Sequence, residues 1–123
     1  MSNPQNILKA FSHTMFYVMD MERAVQFWTK NFNFEVAYRD TNEYASLIHP
    51  QLGTIALHAG ANHTDEVGSG GFPYFKVDNI EASVTALKSK NIKTEDITDL
   101  GTVKFTQFYD SENKLIGIQQ PMH

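Results

Sequence analysis

Apolar and polar positions along this chain follow two periods that alternate in the same order twice. AFSHTMFYV (10–18) alternates at period two, with His13, Met15 and Tyr17 on one face, and predicts a strand. The period then changes to that of a helix. Met21, Ala24, Val25 and Trp28 stand at i, i+3, i+4 and i+7, which places an apolar stripe on a helix over 21–31. That helix should end near Asn31 to Asn33, because Asn accepts the left-handed C′ conformation better than other residues except Gly. Three strand-like runs follow: FEVAYR (34–39), YASLIH (44–49) and GTIALHA (53–59), parted by the turn-forming DTNE and PQLG. The second half repeats the order, with GFPYFKV (71–77) as a strand and 80–90 as a helix. KTEDI (93–97), VKFTQFY (103–109) and LIGIQQ (115–120) are its last three strands.

The repetition extends to single residues. YVMDMERAVQFWTKN (17–31) and KVDNIEASVTALKSK (76–90) align without a gap at an offset of 59. Val18 meets Val77, Asp20 meets Asn79, Met21 meets Ile80, Glu22 meets Glu81, Val25 meets Val84 and Trp28 meets Leu87. Asp20 and Asn79 stand where an N-cap side chain accepts from the first free helical N–H groups. Such a duplication decides the architecture. The expectation is an α+β domain of two tandem βαβββ modules, 10–59 and 71–120, joined by a connector at 60–70. One helix cannot cover both faces of a four-stranded sheet, so pairing two modules gives a shared core on one side and a concave cleft on the other.

Bulk properties remove several function classes. At 123 residues the chain is one domain, able to bury about two thirds of its unfolded surface. The net charge of −4, with no Lys/Arg cluster along the sequence to neutralise phosphates, argues against nucleic acid as a partner. No apolar run approaches a membrane span, and MSNPQNILKA lacks the apolar core of a secretory signal. Without cysteine there is neither a disulfide framework nor a thiol nucleophile, and the cytoplasm is the expected compartment. No Gly-x-Ser-x-Gly elbow supports acyl transfer. The glycine-containing stretch GANHTDEVGSGG (60–71) lacks the Lys-Ser/Thr of a phosphate loop.

The duplicated βαβββ pattern resembles the vicinal oxygen chelate superfamily: glyoxalase I, bleomycin resistance proteins, fosfomycin resistance proteins and extradiol dioxygenases. HTMFYVMDMERAVQFWTKNFNFE (13–35) is similar to the first strand and helix of a bacterial glyoxalase I. GFPYFKVDNIEASVTALKSKNI (71–92) and the closing DSENKLIGI (110–118) extend the likeness, the latter resembling the family's Asp-Pro-x-Gly-Asn hairpin with its Pro and Gly replaced. Asn33, Asn91 and Asn113 stand where the family usually has Gly, and each is expected at positive φ. The resemblance implies a divalent metal held from strands one, four, five and eight. Those four positions fall on His13, Ala56, Phe72 and Gly117, so only one retains a donor. A displaced site would have to combine His58 with Gln119 or Tyr74.

Period-two geometry makes the same faces an organic pocket. Met15, Tyr17, Phe72 and Tyr74 would form an aromatic and thioether wall, while His13, His58, Lys76 and Gln119 would supply directed hydrogen bonds. The leading expectation is a metal-free cleft, with no cofactor, that binds a small aromatic or amphipathic molecule. The alternatives are a metal-dependent lyase or dioxygenase of the glyoxalase I type, or an interaction subunit that kept the scaffold and lost the pocket. A homodimer is expected from the family likeness and from exposed sheet edges. Blander roles are expected elsewhere. Trp28 is packing, Phe32, Phe34 and Tyr38 are core or subunit contacts, and His49, His63 and His123 are solvated. Lys104, Lys114 and the run His63 to Glu66 are ordinary surface.

Overall fold

The computed structural model describes residues 8–60 and 72–122. Most of the connector, including His63, Asp65 and Glu66, and also Gly71 and His123 lie outside the described residues. The first module runs β1 (Thr14–Val18), α1 (Met21–Phe32), β2 (Glu35–Asp40), β3 (Tyr44–His49) and β4 (Gly53–Ala59). The second runs β5 (Tyr74–Lys76), α2 (Ile80–Ser89), β6 (Thr98–Asp99), β7 (Val103–Tyr109) and β8 (Leu115–Pro121). Their sheets have the same order, β1-β4-β3-β2 and β5-β8-β7-β6. In each sheet the first strand pairs parallel with the last and the other pairs are antiparallel. The expected pair of βαβββ modules is therefore the architecture of the molecule. No helix among the described residues is long and apolar enough to cross a membrane.

Local chemistry sets the element ends as expected. Asp20 and Asn79 are extended N-caps, and each side chain accepts from the backbone N–H three residues on, Arg23 and Ala82, at 3.0 Å. Asn33, Asn91 and Asn113 all have positive φ, at 61°, 61° and 65°. Asn33 terminates α1, and its N–H donates to the Trp28 carbonyl.

The helices press on one face of the sheets, and a single core cluster draws on both modules. Trp28 is 2 % exposed and lies at its centre. Its ring stacks on Phe16 of β1 and also approaches Phe75 of β5, with centroids 5.9 and 6.4 Å away. Phe32 reaches Phe108 of β7 at 5.5 Å. A carboxylate adds a polar tie between the halves: Glu112, in the β7–β8 turn, accepts from the N–H groups of Met19 and Asp20 just ahead of α1. Lys114 of the same turn donates to the Tyr17 carbonyl at 3.1 Å. Lys114 is thus a tie between modules rather than ordinary surface, and Lys104 is ion-paired with Glu81 at 2.9 Å.

Three strands are shorter than the pattern predicts. β5 keeps only Tyr74–Lys76 of the expected 71–77, following Pro73, which has no N–H to give to a ladder. The other two departures also have a cause. β1 begins at Thr14 rather than residue 10, because Gly53 and Thr54 of β4 pair only with β3. KTEDI is not a strand; it makes one bridge, Thr94 to Phe108. The Thr106 hydroxyl donates to the carbonyls of Glu95 and Asp96, taking acceptors that a continued ladder would use. Pairing resumes only at Thr98 with Phe105.

Candidate functional site

Side chains on β1 and β5 alternate between the core and the opposite, open sheet face. Phe16, Val18 and Phe75 turn toward the helices, leaving Met15, Tyr17, Tyr74 and Lys76 on the open side. Where β1 and β5 come together, an open cleft of about 610 Å³ lies between the modules. Its walls include Met15, Phe72 and Tyr74, joined by Phe11, Leu52 and the hydroxyl residues Ser12, Thr14 and Thr54. Among the described residues, no side chain lining it is charged at neutral pH.

Tyr74 is the best-defined group in the cleft. Its ring stacks on Phe72 at 5.6 Å between centroids, and Phe105 meets it edge-on at 6.3 Å. The Gln107 amide donates to its hydroxyl at 2.7 Å, leaving the phenolic proton to be offered elsewhere. Beneath the ring lies Gly117, directly opposite Tyr74 in the β5–β8 ladder. A Cβ added to Gly117 would stand 2.5 Å from Cγ and Cε2 of Tyr74, so the ring occupies space that any side chain at 117 would need.

The remaining sequence-predicted residues are distributed around this cleft rather than gathered in it. Tyr17 and His58 face one another across the β1–β4 ladder with rings 5.8 Å apart in a T arrangement. Tyr44 adds a third ring, 6.2 Å from His58, whose Nδ1 is occupied by the Ala59 carbonyl at 2.8 Å. Gln119 lies farther along β8, between Lys76 and Phe105 in register. His13 is exposed just ahead of β1, its Nδ1 2.7 Å from the Ser12 hydroxyl. None of these four lines the cleft. Sequence reasoning missed Gln107, Phe105 and Tyr44. Period-two alternation applied to β7 and β3 would have put all three on the open face.

Three of the positions that the resemblance assigns to metal ligands carry no donor. Ala56 is buried beneath the β1 and β3 neighbours Met15 and Ser46, Phe72 is a hydrocarbon ring, and Gly117 is covered by Tyr74. Among the described residues no group of three or more His, Asp or Glu side chains is arranged to hold a metal ion. The residues present do not fit the ion. His49 also differs from expectation: its Nδ1 accepts from the N–H groups of Gln51 and Leu52, and its ring packs on Phe34 at 5.3 Å. It organises the β3–β4 turn rather than standing free in solvent.

The profile of the Glyoxalase/Bleomycin resistance protein/Dioxygenase superfamily matches residues 10–116. The chain belongs to that superfamily. No curated protein matches it in sequence. Among solved structures, a genomically encoded fosfomycin resistance protein from Listeria monocytogenes superposes with a TM-score of 0.76 at 17% identity, covering 94% of this chain and 96% of the other. An antibiotic-binding protein from Streptomyces sp. gives 0.75 at 14%, covering 94% and 98%. Lactoylglutathione lyase from Agrobacterium tumefaciens gives 0.72 at 14%, covering 94% and 96%. At such identities the likeness establishes the superfamily fold, and chemistry must be argued from this chain's own residues.

Proposed function

We propose that this superfamily member binds a small, uncharged aromatic or amphipathic molecule, without a metal, in the cleft between β1 and β5. One observation carries the reading. The Tyr74 ring occupies the place above Gly117 where the family resemblance expects a carboxylate ligand, which replaces an ion-binding corner with an aromatic seat. The uncharged lining supports it, since a charged ligand would lose hydration there without a compensating partner. Met15 and Phe72 would sandwich the apolar body of the ligand. The Tyr74 hydroxyl, held by Gln107, would donate the hydrogen bond that fixes its orientation. Tyr17, His58, His13 and Gln119 would serve ligands that extend from the cleft along the open faces. A second copy of the chain is the protein partner in this reading, because β2 is a sheet edge that leaves Val36, Tyr38 and Ile48 exposed around it.

A panel of aromatic metabolites and antibiotics, titrated by calorimetry against EDTA-treated protein, tests the proposal. The expected outcome is saturable binding of one molecule per chain that EDTA does not alter. Tyr74→Ala should weaken it about tenfold or more, equivalent to about 1.4 kcal/mol. Binding that appears only after zinc, nickel, manganese or iron(II) is added would overturn the metal-free cleft and favour the lyase or dioxygenase alternative.

A further inference from the structure

On the helix side of the molecule a second groove, of about 600 Å³, runs between α1 and the segment that follows α2. Its chemistry is opposite to that of the first. The chain has ten Lys and Arg against fourteen Asp and Glu, yet Arg23, Lys30, Lys90 and Lys93 all line this one groove, with Asp110 as the sole acid lining it among the described residues. The ion pairs among the described residues lie elsewhere, Glu22 with Arg39 and Glu81 with Lys104. Lys30 donates to the Gln26 amide oxygen at 3.3 Å, and Lys93 stands 4.7 Å over the Tyr109 ring. Neither partner is an acid, although Glu22, which accepts from the Gln26 amide, is near enough to Lys30 for the ammonium to help hold its carboxyl below the ordinary range.

Asp110 does not balance the four cations. One of its carboxylate oxygens accepts the N–H groups of Glu112 and Lys114, which commits it to its own hairpin. Burial also pushes its carboxyl above the usual carboxylate range, so the charged form is disfavoured. A helix C-terminus alone attracts a lysine through its dipole, which accounts for Lys30 on α1 and for Lys90 capping α2. It does not account for the two ends facing one another across a shared groove. Four like charges brought together in this way repel, and the arrangement is relieved when an anion sits among them.

We propose that this groove is a binding site for a small oxyanion of two or more negative charges, the chemistry shared by phosphate esters and polycarboxylates. The Arg23 guanidinium and the three ammonium groups supply charge-assisted donors. The amides of Asn31 and Asn91 add neutral ones, the Gln26 amide being engaged by Glu22, and Phe27 with Ile92 gives an apolar floor for the carbon skeleton. A groove of this volume suits a metabolite rather than a polymer. Because its walls come from both modules, an occupant would bridge them and raise the unfolding temperature through preferential binding to the folded state.

The test is calorimetry and thermal unfolding with inorganic phosphate, fructose 1,6-bisphosphate and citrate, each against sodium chloride at matched ionic strength. At least one of these should bind saturably with a Kd below about 1 mM and raise the midpoint above the chloride control. The phosphate and citrate arms separate the two oxyanion sources. Exchanging both Arg23→Gln and Lys90→Gln should weaken that binding about tenfold or more, whereas Lys76→Gln, on the open face of β5, should leave it unchanged. All four side chains at the groove are exposed, so the midpoint of the unliganded double variant serves as the folding control. A shift reproduced by chloride, or one that survives intact in the double variant, would overturn the site. Absence of binding by all three probes would do the same.

Discussion

The two modules share a backbone plan and differ in how much of the common core each supplies. Both helices start at a side-chain N-cap, and both are followed by an Asn at φ 61°. Both place a glutamate in the first turn paired to their own sheet, Glu22 to Arg39 at 3.0 Å and Glu81 to Lys104 at 2.9 Å. Yet α1 has 12 residues and buries Met21, Ala24, Val25 and Trp28, whereas α2 has 10 and buries only Ile80 and Leu87. Strands β5 and β6 have three and two residues, against five and six for β1 and β2. The N-capping side chains and the αL asparagines agree between the modules because each element end needs them. The side chains differ where one module packs on the other. The strand pair that carries the cleft shows this most clearly. Met15 faces Ala56 in the first module, and Tyr74 faces Gly117 at the equivalent place in the second. A larger ring on one strand goes with a smaller residue on its neighbour.

The largest expected effect tests the unequal shares of the core. Trp28→Ala should destabilise the protein by about 3–5 kcal/mol, since it removes the ring that joins β1 to β5. Leu87→Ala, at the equivalent place in α2, should cost about 2 kcal/mol, the low end of its class. Urea unfolding would measure both, and equal losses would break the comparison. A middle-sized effect is expected at the strand pair. Gly117→Ala should cost about 1–3 kcal/mol by overpacking against the Tyr74 ring. Adding Tyr74→Met, which copies the Met15–Ala56 pair, should recover most of that loss. If the double variant is as unstable as the single one, the two strand pairs are not interchangeable.

The smallest effect compares the two hairpin turns. Each has a side chain accepting two backbone N–H groups, His49 between β3 and β4 and Asp110 between β7 and β8. Burial raises the Asp110 pKa above its ordinary 3.8 despite those hydrogen bonds. The folded state therefore holds that proton to higher pH than the unfolded chain does. Its stabilising contribution is complete below the ordinary value and is lost as pH rises through the raised one. Asp110→Asn should remove this fall while keeping an oxygen acceptor for both N–H groups. A pH series of thermal midpoints, wild type against variant, would show whether the difference opens in that direction.

What the sequence made legible was local. Cap residues, helix stripes and αL asparagines act within a few positions of themselves, so the roles of Asp20, Asn79, Asn33 and Asn91 follow from their immediate neighbours in the chain. The open-face identity of Met15, Tyr17 and Tyr74 also follows from period two alone. The meeting of Met15 with Phe72 and Tyr74 does not, because it depends on how β1 and β5 approach through space. The loss of a strand at KTEDI turns on one hydroxyl, that of Thr106, which no periodicity reveals. The functions of Lys114 and His49 as module and turn fasteners are hidden for the same reason: their partners are backbone groups, which every residue offers and no sequence pattern marks.

Glu112 has a consequence for the order in which the chain becomes complete. Its carboxylate caps the N–H groups of Met19 and Asp20, and a ribosome makes those residues more than ninety positions earlier. The first module is therefore translated in full while the entrance of its helix still faces water. Its last polar contacts close only once the β7–β8 hairpin has been made, so the first module is finished by the second.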